Sequence, residues 1–155
     1  MSDLNTNDKA IVLFQEAIEL LSNNFYIDGI SKFKEIIALD PAGDLADDAQ
    51  FNIGLCYMKM NAIKQAIENF QKVIDEYPDS IIAFSEQNLE YGRTPAKAYL
   101  GLLTCYIQLG NQIKVKECLE ELKDFQDSYV VITSGKEEEK ILYYELAKQA
   151  IEKSK

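Results

Sequence analysis

The stretch AQFNIGLCYMKMNAIKQAIENFQKVIDEYP, residues 49–78, decides the fold. It reads as two antiparallel helices joined by a short turn. Gly54 and Ala66 are small enough to let the helices approach closely, Tyr57 and Phe70 fill the space around them, and Pro78 ends the second helix because it can neither donate nor continue it. The pattern is not local. A window 37 residues earlier places Ala17, Leu20, Gly29, Phe33 and Pro41 on the positions of Gly54, Tyr57, Ala66, Phe70 and Pro78. A window 49 residues later places Ala98, Cys105, Tyr106, Val115 and Leu119 on those of Ala49, Cys56, Tyr57, Ala66 and Phe70, this time without a proline. The same two shifts align Asn24, Asn61 and Gly110 at the turn inside each pair, and all three residue types tolerate left-handed backbone. Glu16 at the position of Ile53 and Leu103 at that of Gly54 make the outer two repeats less regular.

With Ile53, Gly54, Tyr57, Ala66, Phe70 and Pro78 at the spacing LGxxY, AxxxF and P, the chain resembles the tetratricopeptide repeat (TPR) family. Only the leading Trp of that pattern is absent, replaced by Gln50. The resemblance implies an all-α solenoid of three helix-turn-helix repeats, over about 8–41, 45–78 and 95–127, plus a C-terminal helix near 135–153, all in a single domain. Helices are expected near 8–22, 26–39, 45–60, 62–76, 95–109 and 111–125. Asp44 is the expected N-cap of the third, and Thr94 followed by Pro95 that of the fifth. Ser134 with Glu137 reads as a capping box for the last helix, with Glu137 to Glu139 at its positive end and Lys148, Lys153 and Lys155 near its negative end.

The third repeat arrives 15 residues late against a 34-residue period, so 79–94 is an insertion. Ser80 to Leu89 is expected to form a short helix and Glu90 to Thr94 a turn through Gly92. Ile81, Ile82, Phe84 and Tyr91 are too apolar to be left in water and must pack on the repeats or on a partner.

Composition narrows the function. No run approaches the roughly 18 apolar residues of a membrane span, so membrane insertion is not expected. Met1 to Asp8 is polar and acidic, without the basic residue and apolar run of a secretory signal, which makes a cytoplasmic location the default, or a periplasmic one if the N-terminus is processed. The net charge of −10 is concentrated, with 16 acids and 6 bases up to residue 92 and 10 of each beyond it. Such a field repels nucleic acid, which binds through phosphate-neutralising lysines and arginines. Cys56, Cys105 and Cys118 sit inside apolar helical patterns without a CxxC and read as buried free thiols. There is no histidine, no GxSxG and no phosphate loop, and Asp47 and Asp48 point to different sides of a helix, so neither an enzyme nor a metal or cofactor site is expected.

A second apolar stripe carries the functional reading. Ile53, Tyr57 and Met60 face the helical partner in repeat two, whereas Phe51, Leu55 and Met58 lie about 200° away around the same helix. A helix apolar on opposite faces must be covered on both. The stripe recurs at Phe14, Ile18 and Leu21 in repeat one and at Leu100, Thr104 and Ile107 in repeat three, with Asn52, Lys59 and Gln108 beside it. By resemblance, first helices line the concave face of a TPR superhelix, so the stripe would be the floor of a groove for another protein or peptide segment. Some TPR proteins clamp a carboxylate there, but Phe14, Phe51 and Leu100 stand where the first clamp residues would be. Three occupants remain open: the chain's own last helix (through Ile141, Tyr144 and Ile151) or insertion, an external segment, or a second copy as a homodimer. An interaction module or scaffold is the leading function. The alternatives are a TPR chaperone like those of bacterial secretion, or an envelope-associated assembly factor, to whose repeats AIENFQKVIDEYPDS is similar.

Overall fold

The structure, a computed structural model, describes residues 5–83 and 89–155. Three helical hairpins succeed one another: α1 (Thr6–Ser22) with α2 (Tyr26–Leu39), α3 (Ala46–Lys59) with α4 (Ile63–Glu76), and α5 (Thr94–Leu109) with α6 (Gln112–Leu122). Each helix packs on the next, so α2 meets α3 and α4 meets α5, and the hairpins stack into a TPR-like solenoid. The turns inside the hairpins are left-handed, at Asn24 (φ 66°), Asn61 (φ 60°) and Gly110 (φ 73°). These are the three aligned turn residues, and their short or absent side chains lower the cost of that backbone. Pro41 and Pro78 follow the ends of α2 and α4.

One ring holds repeats two and three together. Phe70 of α4 is fully buried, and a Cβ added at Gly54 of α3 would lie 2.7 Å from its ring, while one added at Gly101 of α5 would lie 2.8 Å from it. Phe51 packs beside it with ring centroids 5.4 Å apart. Repeat one has a looser counterpart, in which Phe14 meets Phe33 edge to face at 5.5 Å. Tyr77 reaches back across the repeats to donate its hydroxyl to the Pro41 carbonyl at 3.3 Å.

The C-terminal segment departs from the expected helix over 135–153. Residues Tyr129–Ser134 (β2) and Glu137–Leu142 (β3) form an antiparallel hairpin, and the helix α7 spans only Tyr143–Lys153. Ser134 and Glu137 are directly paired across the hairpin end rather than forming a capping box, and Gly135 (φ 64°) takes the first turn position that a type II′ connection requires of it. Glu137 to Glu139 therefore line an exposed strand and not a helix N-terminus. The short strand β1 (Glu90–Tyr91) pairs with β2, giving the order β1-β2-β3. α7 then packs against α5 and α6, burying Tyr143 and Ala147.

The insertion is fastened rather than helical at both described ends. Ile82 donates its N–H to the Gly92 carbonyl and Ile81 bridges Arg93 in antiparallel fashion, while Leu89 accepts from the Val131 N–H. The expected helix over Ser80 to Leu89 is absent from 80–83 and from Leu89; its middle, including Phe84, lies outside the described residues, as do the first four residues of the polar N-terminal stretch. Ile82 packs on the core and Tyr91 stacks on Tyr129 at 5.1 Å, whereas Ile81 stays 68% exposed. Two expected caps also differ. Leu45, not Asp44, precedes α3 without a side-chain cap, and Thr94 is the first residue of α5, its cap position being held by Arg93.

The double contact on Phe70 predicts an inversion of the usual helix propensity. Gly to Ala in a helix interior is ordinarily favourable by about 1 kcal/mol. Gly101→Ala instead forces a ring that has Gly54 directly behind it, and overpacking of that kind costs about 1–3 kcal/mol. Urea denaturation should show the variant no more stable than the parent and up to about 2 kcal/mol less stable; a gain of about 1 kcal/mol, the value propensity alone would give, would contradict the clamp.

Candidate functional site

The first helices α1, α3 and α5 present their second apolar stripe to a common side. Phe14, Ile18 and Leu21 of α1 and Phe51, Asn52 and Leu55 of α3 line one cavity of about 440 Å³. A smaller cleft of about 190 Å³ adjoins it, lined by Phe51, Leu55 and Met58 of α3 and Leu100 and Thr104 of α5. Both share Phe51, Leu55, Glu90 and Lys97, so the two cavities lie side by side along the first helices of the three repeats. Nine of the residues expected in the groove thus border it: Phe14, Ile18, Leu21, Phe51, Asn52, Leu55, Met58, Leu100 and Thr104.

They do not contribute equally. Phe14 is 1% exposed and belongs mostly to the core against Phe33. Asn52 is buried and spends its amide on the Asp48 carbonyl of its own helix, and Thr104 donates in the same way to Leu100. Three expected residues lie elsewhere. Ile107 borders a separate cleft with Tyr106, Val115 and Ile151 at the far end of the solenoid. Gln108 donates to Asn61 of the neighbouring turn, and Lys59 is exposed in the last turn of α3.

The sequence reading missed a polar knot beneath the groove. Asp48, from the first turn of α3, is 1% exposed and accepts from the Ala83 N–H of the insertion at 3.2 Å. Its neighbour Asp47 accepts the hydroxyl proton of Thr94, at the start of α5. Lys97 of α5, 7% exposed, places its Nζ 2.7 Å from Glu90 of β1 and 4.4 Å from the centre of the Phe51 ring. Tyr143 of α7 is buried within reach of the charges of Glu90 and Asp48, but among the described residues its hydroxyl and Asp48 Oδ1 have no hydrogen-bond partner. A signal for the knot existed, because the shift of 49 that aligns repeats two and three lays Lys97 on Asp48, one turn before Leu100 and Phe51. Opposite charges at one repeat position, in phase with the stripe, mark where the groove ceases to be apolar.

Burial governs the electrostatics. It raises the Asp47 carboxyl, with the Thr94 hydrogen bond opposing, and it pushes Asp48 up to about 8, reinforced by the charge of Asp47 and opposed by Lys97. The Tyr143 hydroxyl is also raised by burial, with Glu90 and Asp48 adding to it. Burial lifts the thiols as well, Cys56 to about 12 and Cys105 and Cys118 to about 11, so all three buried cysteines are held as unreactive thiols. Among the described residues, no cluster of three or more His, Cys, Asp or Glu side chains could hold a metal ion.

Residues 48–80, which hold α3, α4 and the knot's Asp48, match the family model of the tetratricopeptide repeat. This segment is a tetratricopeptide repeat. No curated protein matches the chain. TPR units are in general protein–protein interaction modules without catalytic function. Among the described residues no helix is long and apolar enough to cross a membrane.

Asp48 makes the TPR unit sensitive to pH in a defined direction. Its folded pKa, about 8, lies above the unfolded value near 3.8, so the folded state holds the proton more tightly between those limits. The stability this contributes is full below about pH 4 and is lost as pH rises toward 8. Asp48→Asn, which keeps an acceptor for Ala83, should flatten this decline and raise the midpoint of thermal unfolding at pH 8 by about 3–6 °C. Parallel unfolding curves for parent and variant across pH 4–8 would contradict the assignment.

Proposed function

We propose that the chain is an interaction module that holds a segment of another protein, helical or extended, in the groove formed by α1, α3 and α5, and that it carries no catalytic activity of its own. The observation that carries this reading is the adjacency of the two cavities: half-buried Ile18, Leu21, Leu55, Met58 and Leu100 line them, while Ile18, Leu21, Met58 and Leu100 also rest on the buried core. The far end is closed differently. α7 packs on α5 and brings Tyr143 to the cleft, and Leu89 and Glu90 of the insertion border the larger cavity, so among the described residues the chain's own C-terminal helix and insertion narrow the groove.

The energetics suit a regulated partner. Covering roughly 400 Å² of apolar surface at about 25 cal/mol per Å² yields about 10 kcal/mol gross, most of which ordering and association offset, and micromolar affinity results. The acidic N-terminal two repeats favour a segment flanked by basic residues, through the association rate more than the final affinity. Nucleic acid is disfavoured by the same field. A cytoplasmic setting, a chaperone's client and an envelope-assembly partner are specialisations of this one groove.

Leu55 is the residue to change, since Phe51 packs on Phe70 and underlies Lys97 and its loss would disturb the fold. Affinity purification from the source cell identifies the bound protein. Leu55→Glu should then weaken its capture at least tenfold while far-ultraviolet circular dichroism is unchanged; full capture by a folded variant would refute the groove. Sedimentation over a hundredfold concentration range separates a heterologous partner from a second copy, because a groove filled by self-association gives a dimer that Leu55→Glu dissociates.

A further inference from the structure

The first hairpin carries an apolar strip outside the groove. A shallow trough of about 600 Å³ runs between α1 and α2, lined by Val12 and Leu13 of α1, by Ala38 and Leu39 of α2, and by Lys9 and Glu35. Val12 is 43% and Leu39 38% exposed. The terminal repeats of a solenoid need a polar outer face or a cover. Repeat three has a cover, since α7 packs on α5 and α6, whereas the trough on repeat one is lined by α1 and α2 alone.

The charges around the strip identify what covers it. α1 and α2 run antiparallel about the Asn24 turn, and the 3.3 Å ion pair of Lys32 with Glu16 shows which residues stand level across the trough. On that scale Lys9 is level with Leu39, about 6 Å along the helix from Glu35. Neither Lys9 nor Glu35 is in an ion pair among the described residues. A two-fold axis laid along the trough sets α1 of one copy on α2 of another and leaves every level unchanged. Glu16 then faces Lys32 of the second copy, Lys9 comes within side-chain reach of its Glu35, and Val12 and Leu13 pack toward its Ala38 and Leu39. The face is self-complementary in charge and in apolarity at once. Repeat one also holds little of the chain's net charge of −10, with five acids against three bases over α1 and α2, so two copies meet there without strong repulsion.

We propose that the chain forms a reversible two-fold dimer through this face of α1 and α2, with Val12 and Leu39 near its centre and each Lys9 paired with Glu35 of the second copy. Size sets its strength. α2 has 14 residues and is about 21 Å long, and two helices side by side are about 20 Å wide. Two such faces bury on the order of 1,000 Å² in total, the lower bound of a specific interface, so the dimer dissociates on dilution. Phe14, Ile18 and Leu21 lie about 160° away around α1. Each copy therefore keeps its groove, and the dimer offers two.

Sedimentation equilibrium of the full chain at low ionic strength, from about 1 μM to about 1 mM, measures the dimer. The parent is expected to dimerise with a dissociation constant below about 1 mM, and Val12→Glu to weaken it about tenfold or more with unchanged circular dichroism. Charge exchange isolates the geometry. Lys9→Glu and Glu35→Lys should each dimerise more weakly than the parent, while an equimolar mixture of the two associates about fivefold or more tighter than either variant alone, because both cross pairs are restored. A parent that stays monomeric to about 1 mM, a dimer unaffected by Val12→Glu, or a mixture no tighter than its components would each overturn the proposal. Lys9 and Glu35 are exposed, so the mixture test stands even if Val12→Glu misfolds. A dimer lost in Leu55→Glu and kept in Val12→Glu assigns self-association to the groove and removes this face.

Discussion

The ring of Phe70 is the contact on which the rest of the architecture depends. It sits in a slot whose two sides are the backbones of α3 and α5, opened by the missing side chains of Gly54 and Gly101. Because the ring comes from α4, one side chain fixes the separation of three helices belonging to two repeats. The consequence is functional: α3 and α5 are held side by side with their second stripes turned the same way. Were either glycine a larger residue, the helices would spread and the groove floor would lose its continuity.

Beneath that floor the sequence alternates charge where the stripe would otherwise run on. Asp48 and Lys97 hold equivalent positions in their repeats, and each is tied to the insertion, Asp48 through the Ala83 N–H and Lys97 through Glu90. With the Thr94 to Asp47 hydrogen bond joining the starts of α3 and α5, the insertion's described ends are attached to both first helices by polar contacts, in addition to the packing of Ile82 on the core. Buried polar groups add little net stability but specify geometry, since a slipped arrangement would leave them unpaired. Leu89 and Glu90 of the insertion are thereby set at the border of the larger cavity, and the two described ends meet through the Ile82 to Gly92 hydrogen bond.

The repeats were legible because their constraint is local and periodic. Asn24, Asn61 and Gly110 could be aligned by shift alone, and each adopts the left-handed turn that its residue type allows. The hairpin was not legible for a specific reason. Ser134 and Glu137 stand three apart, the separation of a capping box, and the same separation pairs two residues across a two-residue hairpin turn. The β-branched run Val130 to Thr133 and the Gly135-Lys136 turn favoured the strand. Nine of the twelve residues expected from the stripe line the two adjoining cavities, whereas Ile107 and Gln108 lie elsewhere because α7 and the Asn61 turn, not the spacing, decide what lies beside them. Glu90 and Tyr143 could not be reached from any repeat pattern, since both enter from outside the repeats.

The central claim is that an apolar groove stands open across repeats one and two. Its most direct test is the relaxation of assigned methyl groups in the isolated chain by a soluble, uncharged paramagnetic cosolute. Ile18, Leu21 and Leu55 should be relaxed strongly, in clear contrast with fully buried Ile36, Ile53 and Leu103. Protection of the first set to the level of the second would mean that the stripe is core, and would contradict the account.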